Sequence, residues 1–237
     1  MISIIVPCYN EEKNLKKLVN KFDEFNHKQY DLELILVNNG STDNSALLMK
    51  YLKQKYSYVR TKSVKTNQGY GYGILSGLSI AKGDYLGWIH ADLQFEPKEI
   101  CKAIDYLKQN HFPNKIFIKG KRQNRPLIDN FFTICMSLYE SILLKEKLWD
   151  INAQPIVFSR DLYEKWNEPP YDFSLDLYAY YTAVKNNYKI WRFNVKQHNR
   201  ESGISSWNTG MGARFQLIKR VIKYSINLKN MKALGNQ

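Results

Sequence analysis

Short apolar, β-branched runs alternate with segments of helical period along the first half of the chain. Residues 2–6, 32–37, 59–64 and 85–89 have the length and composition of strands. Between them, residues 11–25, 43–55, 70–81 and 97–108 repeat apolar positions at helical spacing. This β-α-β-α order predicts a parallel sheet with helices on its faces. Asp43 is expected to cap the second helix and Gly83 to stop the third. The second half is less regular. Residues 115–119 and 189–195 read as strands, 128–144 as a long helix with a wide apolar face, and 175–185 as a further helix. From Gly210 the pattern is helical and basic, with Leu217, Ile218, Val221 and Ile222 on one face beside Lys219, Arg220 and Lys223. No repeat, low-complexity tract or Pro/Gly-rich linker divides the 237 residues, so one domain is expected.

Composition narrows the partners. The formal charge is +13, and residues 196–237 hold eight Lys or Arg against one Glu, so +7 of it sits there. Such a surplus attracts nucleic acid, anionic lipid or nucleoside diphosphates. Cys8, Cys101 and Cys135 are odd in number and widely spaced, which predicts reduced thiols in a cytosolic setting. The first residues lack the basic start and cleavage site of a leader and read as a strand. No stretch of eighteen residues lacks charge, so no spanning helix is expected; residues 127–144 come nearest but carry Asp129 and Glu140.

The densest chemistry lies at residues 84–97, where a mostly apolar run ends in His90, Asp92 and Gln94. Alternate residues of an extended segment share a side, so these three can project together from a strand end. Such donors suit Mg²⁺ or Mn²⁺ carrying a diphosphate, because these ions keep waters and phosphates as ligands. Three more polar junctions follow the earlier strands: Pro7-Cys8-Tyr9-Asn10-Glu11, Asn38-Asn39-Gly40-Ser41-Thr42-Asp43 and Asn67-Gln68-Gly69-Tyr70-Gly71. Loops at the carboxyl ends of parallel strands converge on ligands, glycine admits close backbone approach, and helix N-termini favour anions. Any one of these junctions alone is more often a turn. Four in order point to a site.

At these residues the chain resembles the family 2 glycosyltransferases, and within them the polyprenyl-phosphate sugar transferases of the dolichol-phosphate mannose synthase type. Their Asp-Ala-Asp-Leu-Gln signature corresponds to His90-Ala91-Asp92-Leu93-Gln94. The resemblance implies an α/β GT-A fold: a Rossmann-like, mostly parallel sheet flanked by helices, with a helical acceptor-side C-terminal part. Residues 1–110 would form the nucleotide-sugar-binding half, 111–209 the acceptor-side half, and 210–237 a basic amphipathic helix. It implies inverting, metal-dependent transfer from a nucleoside diphosphate-sugar, with Mn²⁺ or Mg²⁺ held by Asp92, Gln94 and His90. Donor contacts would come from Pro7, Tyr9, Asn10, Glu11, Asn39 and Asp43, and from Asn67, Gly71, Ala91, Asp92 and Arg200. Arg200 opens an Arg-x-x-Gly-x-Ser segment, through Gly203 and Ser205, that in the family closes over the diphosphate.

Two departures carry consequences. Asn38-Asn39 replaces a usual Asp pair; an amide still pairs with uracil but lacks the carboxylate fork suited to guanine, which favours a UDP-sugar. His90 replaces the first signature Asp, removing a negative charge and leaving Asp92 to hold the ion largely alone.

On the acceptor side, Arg122 and Arg125 match the basic residues that grip a lipid phosphate in the polyprenyl group, and Gln154 falls in its acceptor-side loop. Asp176 matches the carboxylate used elsewhere in the family as general base, although a simple N-terminal helix acid fits it equally. A lipid phosphate is already anionic and needs no base, whereas a glycan hydroxyl would need Asp176. With an apolar helix at 128–144 and a basic C-terminal helix, the expected setting is peripheral, at an anionic membrane surface on the cytoplasmic side. Alternatives are glycan transfer in surface polysaccharide synthesis and a non-catalytic nucleotide-sugar-binding protein. Nucleic acid is not an expected partner, because Tyr70, Tyr72 and Trp88 fall in the nucleotide-sugar pattern and not on a basic β-surface. His27 and His111 read as exposed loop residues, and His198 as a candidate lining residue.

Overall fold

A computed structural model describes residues 1–25, 30–198, 200 and 211–235; His27, Gly203 and Ser205 lie outside the described residues. The elements run β1 (Ile2–Cys8), α1 (Glu12–Glu24), β2 (Leu32–Asn39), α2 (Ser45–Lys55), β3 (Val59–Val64), α3 (Tyr70–Leu78), β4 (Tyr85–Trp88) and α4 (Lys98–Gln109). They continue through β5 (Ile116–Gln123), α5 (Leu127–Leu144), β6 (Ile156–Ser159), α6 (Arg160–Tyr163), α7 (Leu175–Lys185), β7 (Lys189–Lys196) and α8 (Met211–Gly235). Seven strands form one sheet in the order β3-β2-β1-β4-β6-β5-β7. β6 is antiparallel to β4 and β5, and the other pairings are parallel. This is the mixed, mostly parallel GT-A architecture, and the sheet is continuous across both halves of the chain.

Both faces of the sheet are covered at its centre, which explains why β1, β4 and β6 read as nearly unbroken apolar runs. Along β1 and β2, Ile4, Val6, Leu34 and Leu36 pack with α1, α2 and α4, while Ile5, Ile35 and Val37 pack on the other side with α3 and α7. Alternation along the strand divides one run between two cores.

Three sequence expectations need correction. β6 and α6 were not foreseen: four apolar residues pass straight into a one-turn helix, too short for any period to show. β6 becomes a strand by inserting between β4 and β5, where a Cβ on Gly87 would collide with Ile156 O. α3 stops at Leu78, and Gly83 instead packs on β1, where its N–H donates to Ser3 Oγ (2.7 Å). α2 begins at Ser45 with Asn44 at its boundary, so Asp43 is not the cap residue, although its Oδ1 accepts from Ser45 N (3.0 Å).

α5 is 18 residues long with mean hydropathy 1.4, enough by length and composition to cross a membrane, and only 17% of it is buried. The sequence argument set it aside because it carries Asp129 and Glu140. Both of these face inward: Asp129 lines the cavity described below and Glu140 is buried against α8.

Candidate active site

Because β6 alone runs backwards, the carboxyl ends of β1, β2, β3, β4, β5 and β7 all reach one edge of the sheet. A cavity of about 900 Å³ opens there. The strand order spreads its lining from the β1–β3 loops, past the end of β4, to β5 and α5. On the first side lie Pro7, Tyr9, Asn10, Glu11, Asn39 and Asn67. The centre holds His90, Ala91, Asp92, Gln94, Asp176 and Arg200. On the far side Arg122 and Arg125 meet apolar residues of α5 and α8, among them Ile128, Phe132, Met136, Ile218 and Val221.

Two glycines hold the first side in shape. Gly69, at φ +106°, opens α3, and a Cβ there would lie 2.5 Å from Tyr171 O. Gly40, at φ +74°, lets the β2 loop press on the Thr66 and Asn67 backbone. Asn38 is used in this turn, its Oδ1 accepting from Ser41 N (2.9 Å). Asn39 donates from Nδ2 to Gly69 O (2.8 Å) and Asn67 Oδ1 (3.3 Å), while its Oδ1 is buried without a partner. The nitrogen side of this amide is therefore tethered and the oxygen is left as an unused acceptor.

At the centre, Asp92 is buried and pairs through Oδ2 with Arg200 Nη2 (2.7 Å), while Oδ1 accepts from Gln94 N (3.1 Å). The backbone of His198 donates to Gln94 O (2.8 Å), bringing the segment after β7 against the segment after β4. His198 contributes this backbone bond, and its side chain is not part of the lining. His90, Asp92 and Gln94 all line the same cavity, but they do not reach it as alternate residues of one extended strand. β4 ends at Trp88, Leu93 takes φ +58°, and His90 turns onto Tyr70. Among the described residues no three His, Cys, Asp or Glu side chains gather closely enough to hold a metal ion. Burial pushes the Glu11 carboxyl up, and the nearby Asp92 charge adds to this against the Asn14 hydrogen bond (2.6 Å).

Tyr70 is the hub that the motif reading missed. Its ring is stacked between His90 (centroids 4.9 Å apart) and Phe173 (4.7 Å). Its Oη lies 3.2 Å from His90 Nε2 and 3.5 Å from Asp176 Oδ1. Trp88 Nε1 donates to the same carboxylate oxygen at 3.0 Å. Asp176 is 1% exposed, and burial raises its pKa despite the opposing influence of His90, Lys119 and the Trp88 hydrogen bond.

Three expected contacts fall away from the cavity. Asp43 joins helix starts, accepting from Glu12 N (3.2 Å) as well as Ser45 N, and these bonds hold its pKa below the usual range against burial. Gly71 abuts the Pro170–Asp172 backbone, where a Cβ would lie 2.5 Å from Pro170 O. Gln154 is buried behind Tyr70, its amide 3.1 Å from Tyr70 Oη.

The arginines on the far side are already oriented. Arg122 Nε and Nη2 contact Asp150 Oδ1 at 2.6 and 2.5 Å, and Arg122 N donates to Asp150 Oδ2 (2.8 Å). Burial pushes the Asp150 carboxyl up, but Arg122 and Lys119 outweigh it and hold the pKa below normal. Arg125 Nη1 donates to Asp129 O (3.3 Å) and to Thr133 Oγ1. Lys119 is fully buried, donates to Asp150 O (2.6 Å) and Ile151 O (2.9 Å), and is pushed down to about 7 by burial. Neither Lys119 nor Asp150 was singled out for this role, since nothing local marks a β5 lysine as the support of a distant loop.

Comparison with known proteins agrees with this architecture. Among solved structures, Mycobacterium tuberculosis glucosyl-3-phosphoglycerate synthase with Mn²⁺, UDP-glucose and phosphoglyceric acid superposes with TM-score 0.72 at 16% identity, over 97% of this chain and 79% of that one. The Pyrobaculum calidifontis mannosyltransferase with GDP-Man and Mn²⁺ gives 0.64 at 16% identity, over 85% of this chain. The match spans 58% of the mannosyltransferase's length. S. aureus TarS 1–349 with UDP-GlcNAc gives 0.58 at 17% identity, over 87% of this chain and 62% of that one. Residues 3–167 match the model of glycosyl transferase family 2, and with well over half its length matched the chain belongs to that family.

Proposed function

We propose that this glycosyltransferase moves a sugar, with inversion, from a UDP-sugar to a lipid phosphate of the polyprenyl type at the cytoplasmic face of a membrane. The observation that carries the reading is the lining of a single cavity. It starts at nucleotide-type loops, passes Asp92 and Arg200, and ends where Arg122 and Arg125 border apolar residues of α5 and α8. An acceptor with an anionic head and an apolar tail fits that end. In the transfer, an acceptor phosphate oxygen bonds to the anomeric carbon as its bond to the diphosphate breaks, and UDP leaves with the electron pair. Arg200 would stabilise the charge developing on the diphosphate. Arg122, held by Asp150 through Nε and Nη2, would present Nη1 to the acceptor phosphate.

Among the described residues no three His, Cys, Asp or Glu side chains make a protein cage for a metal. An ion shared with the substrate would fit the donor groups, held on the protein side by Asp92, with His90 and Gln94 lining the same cavity. Mn²⁺ or Mg²⁺ so bound would supply charge neutralisation for the leaving group, as suits relatives crystallised with Mn²⁺. The free Asn39 Oδ1 favours uracil, whose N3–H is a single donor, over guanine, whose edge offers two adjacent donors to one acceptor.

A second reading, transfer to a glycan hydroxyl, is favoured by the raised pKa of Asp176, which would suit a base. Against it, Asp176 is buried and already engaged by Trp88 and Tyr70. Transfer assays with polyprenyl phosphate and with soluble glycans separate the two. Under the lipid-phosphate reading, Arg122→Ala and Arg125→Ala each lower transfer at least tenfold through acceptor KM. Asp176→Asn retains transfer to the phosphate. If the arginine variants are unaffected while Asp176→Asn is inactive, the hydroxyl reading replaces this one.

A further inference from the structure

We infer that the outward face of α5 is a docking surface for an anionic lipid bilayer, with the helix lying along the interface. α5 is inside out. Leu127, Phe131, Leu138 and Ile142 are 86%, 63%, 51% and 77% exposed, and their spacings of four, seven and four place them on one face. Asp129, Thr133, Ser137 and Glu140 lie on the opposite face, towards the cavity and α8. A helix on a water-exposed surface has the reverse arrangement. Asp129 and Glu140 are the only charged residues of α5, so its outward face carries none.

Charge identifies the occupant. Exposed Lys121 precedes the helix and exposed Lys145 and Lys147 follow it. The neighbouring α8 exposes Lys219, Arg220, Lys223 and Lys229. A second copy, with its own +13, would bring like charge against like around this face. An anionic bilayer offers both an apolar layer and negative headgroups. The inward side of α5 decides the orientation. Ser137 Oγ accepts from Asp150 N (3.0 Å) and Glu140 Oε1 accepts from Ser225 Oγ (2.7 Å), both buried. A helix tied to protein along one side cannot be ringed by lipid, so it lies in the interface and does not cross it. The inference is independent of the acceptor, because binding is read without donor or transfer.

The test is co-sedimentation of the full chain with vesicles of phosphatidylcholine alone or mixed with phosphatidylglycerol. Binding is expected to the mixed vesicles at low salt, weakened roughly tenfold or more by Phe131→Ser with Leu138→Ser. A fluorophore on Cys135, which is exposed on this helix, should shift to the blue on binding once the half-buried Cys101 is replaced by Ser. Carbonate washing should release the protein. Should the double variant melt lower, Ile142→Ser gives the same reading from a more exposed position. The inference fails if the mixed vesicles do not bind the protein, if the variants bind equally, or if the protein resists carbonate. It also fails if light scattering shows a dimer that the same substitutions dissolve, which would assign the face to a second copy.

Discussion

Asn39 and Asp92 show how little of a binding group's behaviour lies in its type. Asn39 could present either end of its amide; Gly69 O and Asn67 Oδ1 hold the nitrogen, so the oxygen is the free end. Calorimetry should therefore show UDP binding more tightly than GDP, and Asn39→Ala should weaken UDP about tenfold, or about 1.4 kcal/mol. Tighter GDP binding would reverse the assignment. Asp92 is the carboxylate of the expected metal triplet, and Arg200 balances its charge. Asp92→Asn should abolish the Mn²⁺-dependent rise in melting temperature given by UDP while the ligand-free protein still folds. An unchanged Mn²⁺ effect would remove Asp92 from the metal site.

Between elements, the contact of α5 with α8 carries a pH response. Glu140 is buried and raised to about 7 by burial, with the Ser225 hydroxyl opposing. Its Oε2 has no partner, which a neutral acid tolerates better than a carboxylate. Its folded pKa lies above the unfolded value of 4.5, so the folded state binds more protons between them. Its stabilising contribution is complete below 4.5 and is lost as pH rises through about 7. Glu140→Gln should thus gain on the native protein as pH climbs through this window and hold a constant lead above it. A lead on the order of 1 kcal/mol or more at pH 8 is expected in denaturant titrations. An equal difference at pH 5 and pH 8 would show that the carboxyl does not titrate in this contact.

For the molecule as a whole, the surplus of positive charge sets the response to salt. Vesicle binding should weaken steeply as salt shortens the screening length from about 30 Å at 0.01 M towards about 8 Å at 0.15 M. UDP binding at the more enclosed cavity should change less over the same range. Equal salt dependence of the two would mean that surface charge governs both.

Much of the nucleotide side was legible in the chain because its signals are local. Strands β1 to β4 and helices α1 to α4 show their periods within a dozen residues, and polar junctions at Asn10, Asn39, Asn67 and Asp92 mark where strands end. The rest depended on partners distant in sequence. β6 is a strand because a gap lies between β4 and β5, not because four residues show a period. Asp92 met Arg200, Arg122 met Asp150, and Tyr70 came between His90 and Phe173 only when loops from separate strands were brought to one edge. The apolar pattern of α5 was visible from the start, but which face looks outward was not. Periodicity locates a stripe on a helix; what packs against the opposite side decides whether that stripe is core or surface.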